Sequence, residues 1–485
     1  MFGKFLPFID LDKIAILTFV ICSGLFFYNL GATSLIDFDE AWYAEIARNI
    51  LVRHNPLLLF FNGTNYLDHP PLGFILIALS FLIFTVNEFA ARFPSAILGL
   101  GSVILIYKIG QDLFNKTIGL GASLMLVSSV WFLLRARSGN LDTVFLFFFL
   151  LVIYCATKVK KNNWILVFAA SFGLLLQIKS LIGISVLIPA LAIILISEKP
   201  SRATFRHLNL KKIILAFSIF ILTLAPWFLA SYKAYGNNFT HQLIKVGLRP
   251  ENRVKPNFRE FGSSLTFTYL HFGIKEWYYP FLIAFIASPV FLWRKPVLVA
   301  VYLWIIGLLA GFLTNSKTEI WHLIPVYPAA GLLIAFFAYH SIYYALIFTK
   351  RFVKNSSKLA APIFLVLFFS FSAKQVYEYR NDVRLFEVGQ SGLAYSAAQA
   401  KYYPEKLFLD ADYFFPVAVF YSQKEVSLVK GGSNPQNDLK GIIEYGQKPF
   451  LLLTEQWRLE TDKIDTGRYH VLASHDGHVL LKVIN

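Results

Sequence analysis

Arg135-Ala136-Arg137-Ser138-Gly139-Asn140-Leu141-Asp142 runs directly into TVFLFFFLLVIYCAT, residues 143–157, a stretch without one acid or base. Charge packed against so long an apolar run is the signature of a chain entering hydrocarbon, where about 20 apolar residues cross the bilayer. The composition agrees. Of 485 residues 56% are hydrophobic and only 15% charged, against about 25% charged in an average soluble domain. Soluble enzymes, nucleic-acid binders and disordered tails are excluded as readings of the whole chain. The net charge of +16 lies in short clusters between apolar runs, a pattern that orients helices rather than one that binds nucleic acid. Cys22 and Cys155 both sit in apolar runs, so neither a disulfide framework nor a cysteine metal site is expected.

Outward from this stretch, twelve apolar segments are expected, near 13–30, 70–86, 93–110, 117–134, 142–157, 164–179, 181–197, 212–230, 278–293, 296–313, 322–348 and 359–373. The first lacks a small-residue cleavage site and reads as a retained helix. Basic clusters at Lys158, Lys160 and Lys161, at Lys199 to Lys212, at Arg294 and Lys295, and at Lys350 to Lys358 are expected on the cytoplasmic side. That puts residues 31–69, 135–141, 231–277, 314–321 and everything after 374 outside. Parity then fails for the three segments between 70 and 134, so one of them is expected to be short, re-entrant or interfacial. After 374 the composition becomes that of a soluble domain. Strand-like runs occur at Lys406–Leu409, Phe450–Thr454 and Val471–Val483, the last split by the turn signal Asp476-Gly477. The expected fold is an all-α polytopic membrane bundle (1–373), with interfacial helices in the first outside loop and a small C-terminal α/β domain (374–485).

Candidate chemistry clusters on the outside face. Asp37, Asp39 and Glu40 open an amphipathic pattern running through Tyr43 and Ile46, read as an interfacial helix; helix capping by Asp37 and Glu40 is the alternative. Asp68 and His69 precede Pro70-Pro71 at a membrane entry, where the proline alone could mark a helix start. Asp142 is either an N-cap or a functional acid between two arginines. Lys179, at the end of its segment, reads as a side chain snorkelling to the interface. The loop 231–277 carries Arg249, Arg253 and Arg259, and the loop 314–321 leads from Lys317 to His322. No phosphate-binding glycine loop, zinc helix or nucleophile elbow occurs. A carboxylate and several cations at one face suit transfer of a sugar carried on a lipid phosphate: the phosphate leaves against cations, and the acceptor hydroxyl meets a base.

The residues resemble the GT-C class of membrane glycosyltransferases, in the branch of protein O-mannosyltransferases and lipid A aminoarabinose transferases (ArnT-like). The resemblance rests on Asp39-Glu40-Ala41-Trp42-Tyr43-Ala44-Glu45-Ile46-Ala47-Arg48, then Asp68-His69-Pro70-Pro71-Leu72-Gly73, Arg92-Phe93-Pro94, Leu141-Asp142, Gln177-Ile178-Lys179-Ser180, Ala225-Pro226-Trp227 and Ser316-Lys317 through Pro328. It covers roughly 10–345 and leaves the tail unexplained. It implies an inner-membrane enzyme with a periplasmic site, inverting transfer from a polyprenyl (undecaprenyl) phosphate sugar, and an envelope acceptor: lipid A, glycan or protein. Asp39, with Glu40 beside it, matches the catalytic carboxylate. Asp68 and Asp142 match acids that hold a divalent metal (Zn, Mg, Mn or Ca) in the aminoarabinose branch. His69 stands where that branch has a phosphate-contacting lysine. His69, Lys317, Arg249, Arg253 and Arg259 are the expected phosphate contacts, with Tyr43 and His322 nearby. A lipid-linked oligosaccharide polymerase or ligase, and a lipid or glycan transporter, are the alternatives.

Overall fold

The computed structural model describes residues 10–37, 39–159, 163–196, 210–248, 250–253, 265–316, 318–348, 356–385, 391–412, 415–429, 439–446 and 449–484. In chain order, α1 (Leu11–Phe27) and α2 (Asp39–Arg53) precede a hairpin of β1 (Leu59–Phe61) and β2 (Thr64–Tyr66). Then come α3 (Leu72–Phe84), α4 (Glu88–Leu113), α5 (Lys116–Ser128), α6 (Val130–Ala136), α7 (Leu141–Lys158), α8 (Trp164–Lys179), α9 (Leu187–Ile196) and α10 (Leu210–Tyr235). The helices α11 (Asn237–Leu248), α12 (Leu265–Ile274), α13 (Tyr278–Ala287), α14 (Val297–Leu313), α15 (Tyr327–Phe348) and α16 (Ala360–Glu378) follow. The last stretch holds α17 (Gly392–Ala400), β3 (Leu407–Asp410), α18 (Pro416–Ser422), β4 (Val426–Val429), α19 (Leu439–Tyr445), β5 (Phe450–Glu455), α20 (Gln456–Thr461), β6 (Tyr469–His475) and β7 (His478–Val483).

The chain divides into two compact units. A helical unit takes 1–28, 67–73 and 95–386; a second unit takes 29–66, 74–94 and 387–485. Composition alone put the boundary at 373, whereas the second unit also recruits the first loop. Its hydrogen bonds explain why. Asn62 on the β1–β2 turn exchanges two hydrogen bonds with the backbone of Val426 (2.9 and 2.8 Å), and Arg48 donates to the carbonyl of Phe420 (2.9 Å).

Among the described residues six helical runs are long and apolar enough to cross a membrane, or seven if a bent pair is one span. Within the helical unit the run Ile320–Phe348 is 78% buried and Leu210–Tyr235 only 11%, which makes α15 central and α10 peripheral. The apolar side chains left outward, such as Leu222 and Ile286 at 71% and 78% exposure, suit a lipid solvent. Close approach of α4 to α5 rests on facing glycines. A Cβ on Gly110 would meet Gly119 Cα at 2.5 Å, the small-residue contact usual between membrane helices.

Two of the three segments that broke the topological parity are not straight spans. The helix α3 has 13 residues, about 20 Å at 1.5 Å per residue. The pair α5 and α6 is bent by 72°, at Ser129 in extended conformation. A break at membrane depth frees backbone groups that must find partners inside the protein. Here Gln375 donates to the Ser128 carbonyl (2.5 Å), the Trp277 indole donates to the Ser128 hydroxyl (2.9 Å), and Ser129 bonds back to Met125 (2.9 Å).

The second unit is built on a five-stranded sheet in the order β4-β3-β5-β7-β6. The strand β3 runs parallel to β4 and β5, and β7 antiparallel to β5 and β6. Phe450, Leu452, Leu481, Val483 and Ile443 form its core. The β6–β7 turn falls at Asp476-Gly477, both with positive φ (44° and 75°), the two-residue turn that matches strand twist. The β1–β2 turn Asn62-Gly63 repeats it (48° and 76°).

Candidate active site

In the helical unit the polar centre is Asp142. Asn140 caps α7, its side chain accepting from the backbone of Asp142 (2.8 Å) and Thr143 (3.2 Å). The expected capping role of Asp142 therefore belongs to Asn140, which leaves the Asp142 carboxylate for side chains. Arg135, carried there by the bend before α6, donates from Nε to Oδ2 at 3.0 Å and pairs through its terminal nitrogen. Lys179 pairs with the other oxygen, Oδ1. It does not snorkel: its side chain is 12% exposed, beside 11% for Arg135 and 6% for Asp142. The arrangement needs the chain to turn straight after Lys179, and Ser180 does so with φ 55°; α7 then packs along both α8 and α9.

Two cations on one carboxylate leave a net positive charge at the end of α7, opposite the end where Lys158 meets Asp112 at 2.6 Å. The Arg135 guanidinium lies 4.9 Å from the Trp321 ring, and Trp321 neighbours Trp131 at 5.7 Å. The next residue, His322, accepts the Glu319 backbone N–H at Nδ1 (3.1 Å), which leaves Nε2 as the donor nitrogen of the ring. Asp68 accepts from Gln242 of α11 at 2.6 Å, and His69 is half-buried. Gly73 lies so close to the Leu141 side chain that any Cβ there would collide, so the Asp68–Gly73 turn abuts the start of α7. The backbone of Arg253 bridges that of Asn315; the Arg253 side chain is exposed. Arg249, Arg259 and Lys317 lie outside the described residues. Arg137 takes a structural post, donating to the carbonyl of Leu25 (2.7 Å) at the end of α1.

The donor set does not fit a metal. Both Asp142 oxygens face cations, Asp68 faces an amide, and among the described residues no three His, Cys, Asp or Glu side chains are grouped to hold an ion.

In the second unit, Asp39 opens α2 half-buried. Glu40, expected beside it as a catalytic acid, is 3% exposed and fully engaged. Arg92 donates to both of its oxygens at 2.9 Å, and Oε2 also accepts from the Ile36 N–H at 2.8 Å. The same guanidinium donates to the carbonyls of Leu30 (2.9 Å), Thr33 (3.0 Å) and Ser34 (2.8 Å), so all five of its N–H groups are used. Tyr43 is buried, its ring 5.3 Å from that of Phe74. Glu45 pairs with Arg48 at 2.6 Å, and burial pushes its carboxyl up to about 7. Tyr421 of α18 donates to Glu88 (2.8 Å) and accepts from the Leu35 N–H (2.9 Å).

Asp37 accepts from the Val417 N–H at 3.4 Å, and burial pushes its carboxyl up to about 6. A raised carboxylate stabilises the fold below its ordinary titration range and loses that contribution as pH rises through 6. Asp37→Asn keeps the acceptor oxygen without the charge. It is expected to match the wild type near pH 4 and to exceed it near pH 8, by on the order of 1–3 kcal/mol. Thermal melts across that range check this; parallel curves would remove Asp37 from the pH response.

Residues 68–229 match the family model for dolichyl-phosphate-mannose-protein mannosyltransferase. An uncharacterized protein of Aquifex aeolicus is 28% identical over 231 residues, 46% of this chain and 45% of that protein. The polyprenol-phosphate-mannose–protein mannosyltransferase of Mycobacterium tuberculosis is 35% identical over 28% of this chain and 26% of its own length. The chain thus spans less than half the length of these two curated relatives. ArnT from Cupriavidus metallidurans, solved without ligand and with undecaprenyl phosphate, superposes with a TM-score of 0.68 at 16% and 15% identity, over 97% of this chain and 98% of that one. The fold is the GT-C fold of ArnT. With six helical runs among the described residues long and apolar enough to cross a membrane, this ArnT-like chain is a multi-pass membrane protein. The ArnT-like fold extends across the C-terminal sheet, a part of the chain for which the sequence motifs offered no match.

Proposed function

We propose that the protein transfers a sugar from a polyprenyl-phosphate donor to an envelope acceptor (lipid A, another glycan or a protein) at the extracytoplasmic face of the membrane, with inversion. The Arg135–Asp142–Lys179 centre carries the reading, since it holds a buried and a half-buried cation on one acid at one end of a helical bundle. Support comes from the ArnT structure bound to undecaprenyl phosphate and from relatives named for polyprenol-phosphate mannose.

The acceptor oxygen attacks the anomeric carbon, its proton passes to a carboxylate, and the bond from that carbon to the phosphate oxygen breaks. The polyprenyl phosphate departs with one additional negative charge and needs no proton, so cations replace the acid of a glycosidase. Lys179 and Arg135 meet that charge, and the Nε2–H of His322 adds a donor; His69 and Arg253 are further phosphate contacts of the proposal. Asp142 orients the two cations without touching substrate. Asp39 is the base, as its motif implies, and Glu40 positions the start of α2 through Arg92. No step runs through a metal.

The test is turnover by purified protein in lipid nanodiscs, with undecaprenyl-phosphate mannose and undecaprenyl-phosphate aminoarabinose as donors and membrane extract as acceptor, products read by mass spectrometry. Lys179→Ala is expected to lower kcat about 100- to 1,000-fold, and Lys179→Arg to recover part of it, with melting temperature recorded for both. Turnover unchanged in a folded Lys179→Ala protein would overturn the role of this centre.

A further inference from the structure

The sheet domain holds a cavity that the proposed transfer does not use. Its volume is about 550 Å³, within the range of small-molecule sites. It opens at the carboxyl ends of the parallel strands β4, β3 and β5. With β3 in the middle, the chain leaves it to one side for β4 and then crosses to the other for β5. That reversal of direction opens a crevice at the strand ends, where α/β sheets bind their ligands.

Leu428, Val429 and Leu439 supply the apolar part of the wall, and the polar part is prearranged. Asp410, closing β3, is 8% exposed and accepts from the Thr454 hydroxyl at 2.6 Å. Arg458 of α20 is braced by Asp412 (2.9 Å), Glu455 (3.3 Å) and Asp410 (3.9 Å). Trp457 donates its indole N–H to Glu455 (2.8 Å), which fixes the ring while 55% of the residue stays exposed. Thr461 and Asp462 complete the rim.

The lining carboxylates Asp410, Asp412 and Asp462 outnumber the one guanidinium, Arg458, and repel phosphates and other anions. Arg458, paired with Asp410 and Asp412, sets a cation of the protein's own among these carboxylates, which suits a neutral ligand better than a metal ion. A wholly apolar ligand would displace water from Asp412, Asp462 and Arg458 without replacing its hydrogen bonds. A polyhydroxylated ring satisfies each wall: its hydroxyls donate to the carboxylates and accept from Arg458, and its C–H face covers exposed indole. We infer that this cavity binds a carbohydrate unit that is unphosphorylated, neutral or bearing an amine. The inference does not depend on the chain being a transferase.

The experiment uses the full chain in nanodiscs without donor lipid, so that binding is read apart from turnover. Methyl α-mannopyranoside, methyl 2-amino-2-deoxyglucopyranoside and mannose 6-phosphate are titrated by saturation-transfer NMR. Saturable binding of at least one of the first two is expected. Trp457→Ala and Asp412→Ala should weaken it about tenfold, and mannose 6-phosphate should bind about tenfold more weakly still. Asp412 has a 78% exposed side chain, so its variant keeps the test decisive if Trp457→Ala melts early. No saturation with either uncharged or amino sugar, equal affinity in folded variants, or preference for the phosphorylated sugar would each overturn the inference.

Discussion

Asp39→Asn is expected to lower sugar transfer about 100- to 10,000-fold, the contribution of a well-placed general base, and to leave the fold intact. The neighbouring side chains give the reason for the second half. The start of α2 is held by Glu40, which caps the Ile36 N–H and is gripped by Arg92, so α2 does not depend on the charge at 39. Asn is nearly the size of Asp and serves as well at a helix N-terminus. The loss should fall on kcat with little change in donor KM, because the proposed phosphate contacts come from other residues. Initial rates with undecaprenyl-phosphate donors, beside melting curves, make the measurement; a variant within about threefold of wild type means that the base lies elsewhere.

Arg92→Ala is expected to cost about 3–5 kcal/mol and to leave the segment 29–66 open to protease. Arg92 is 4% exposed and spends five hydrogen bonds on Glu40 and on the carbonyls of Leu30, Thr33 and Ser34. Its removal strands a buried carboxylate and three carbonyls together. Arg92→Lys should fall between, since an ammonium cannot fill a planar fork. Combining Arg92→Met with Glu40→Leu should destabilise less than Arg92→Ala alone, because no buried charge is then left unpaired. A double variant worse than the single one would show that the carbonyl contacts, and not the ion pair, carry the energy. Limited proteolysis and thermal melts read all three.

The sequence was most legible where one local rule governs a residue. Twelve apolar runs became helices or parts of helices, the helical reading of 39–50 became α2, and Asp476-Gly477 became a hairpin. Asn62-Gly63 carried the same turn signal and was passed over because the strands around it are only three residues long. The strand β4 escaped although β3, of the same four residues, was legible. Lys179 was misjudged because one-dimensional position cannot tell a lysine reaching for lipid headgroups from one reaching for Asp142, 37 residues earlier. Glu40 and Asp39 look equivalent in the motif, yet adjacent residues on a helix point about 100° apart, and only the position of Arg92 settles which is consumed structurally. The bend at Ser129 had no signal in hydropathy, since its partners Trp277 and Gln375 come from distant helices.

The second unit is stitched from three pieces of chain, and the bond from Leu35 to Tyr421 spans 386 positions. During synthesis the early segment emerges long before the late one that braces it. The helix bearing Asp39 therefore reaches its final setting only after the ribosome has finished almost the entire polypeptide.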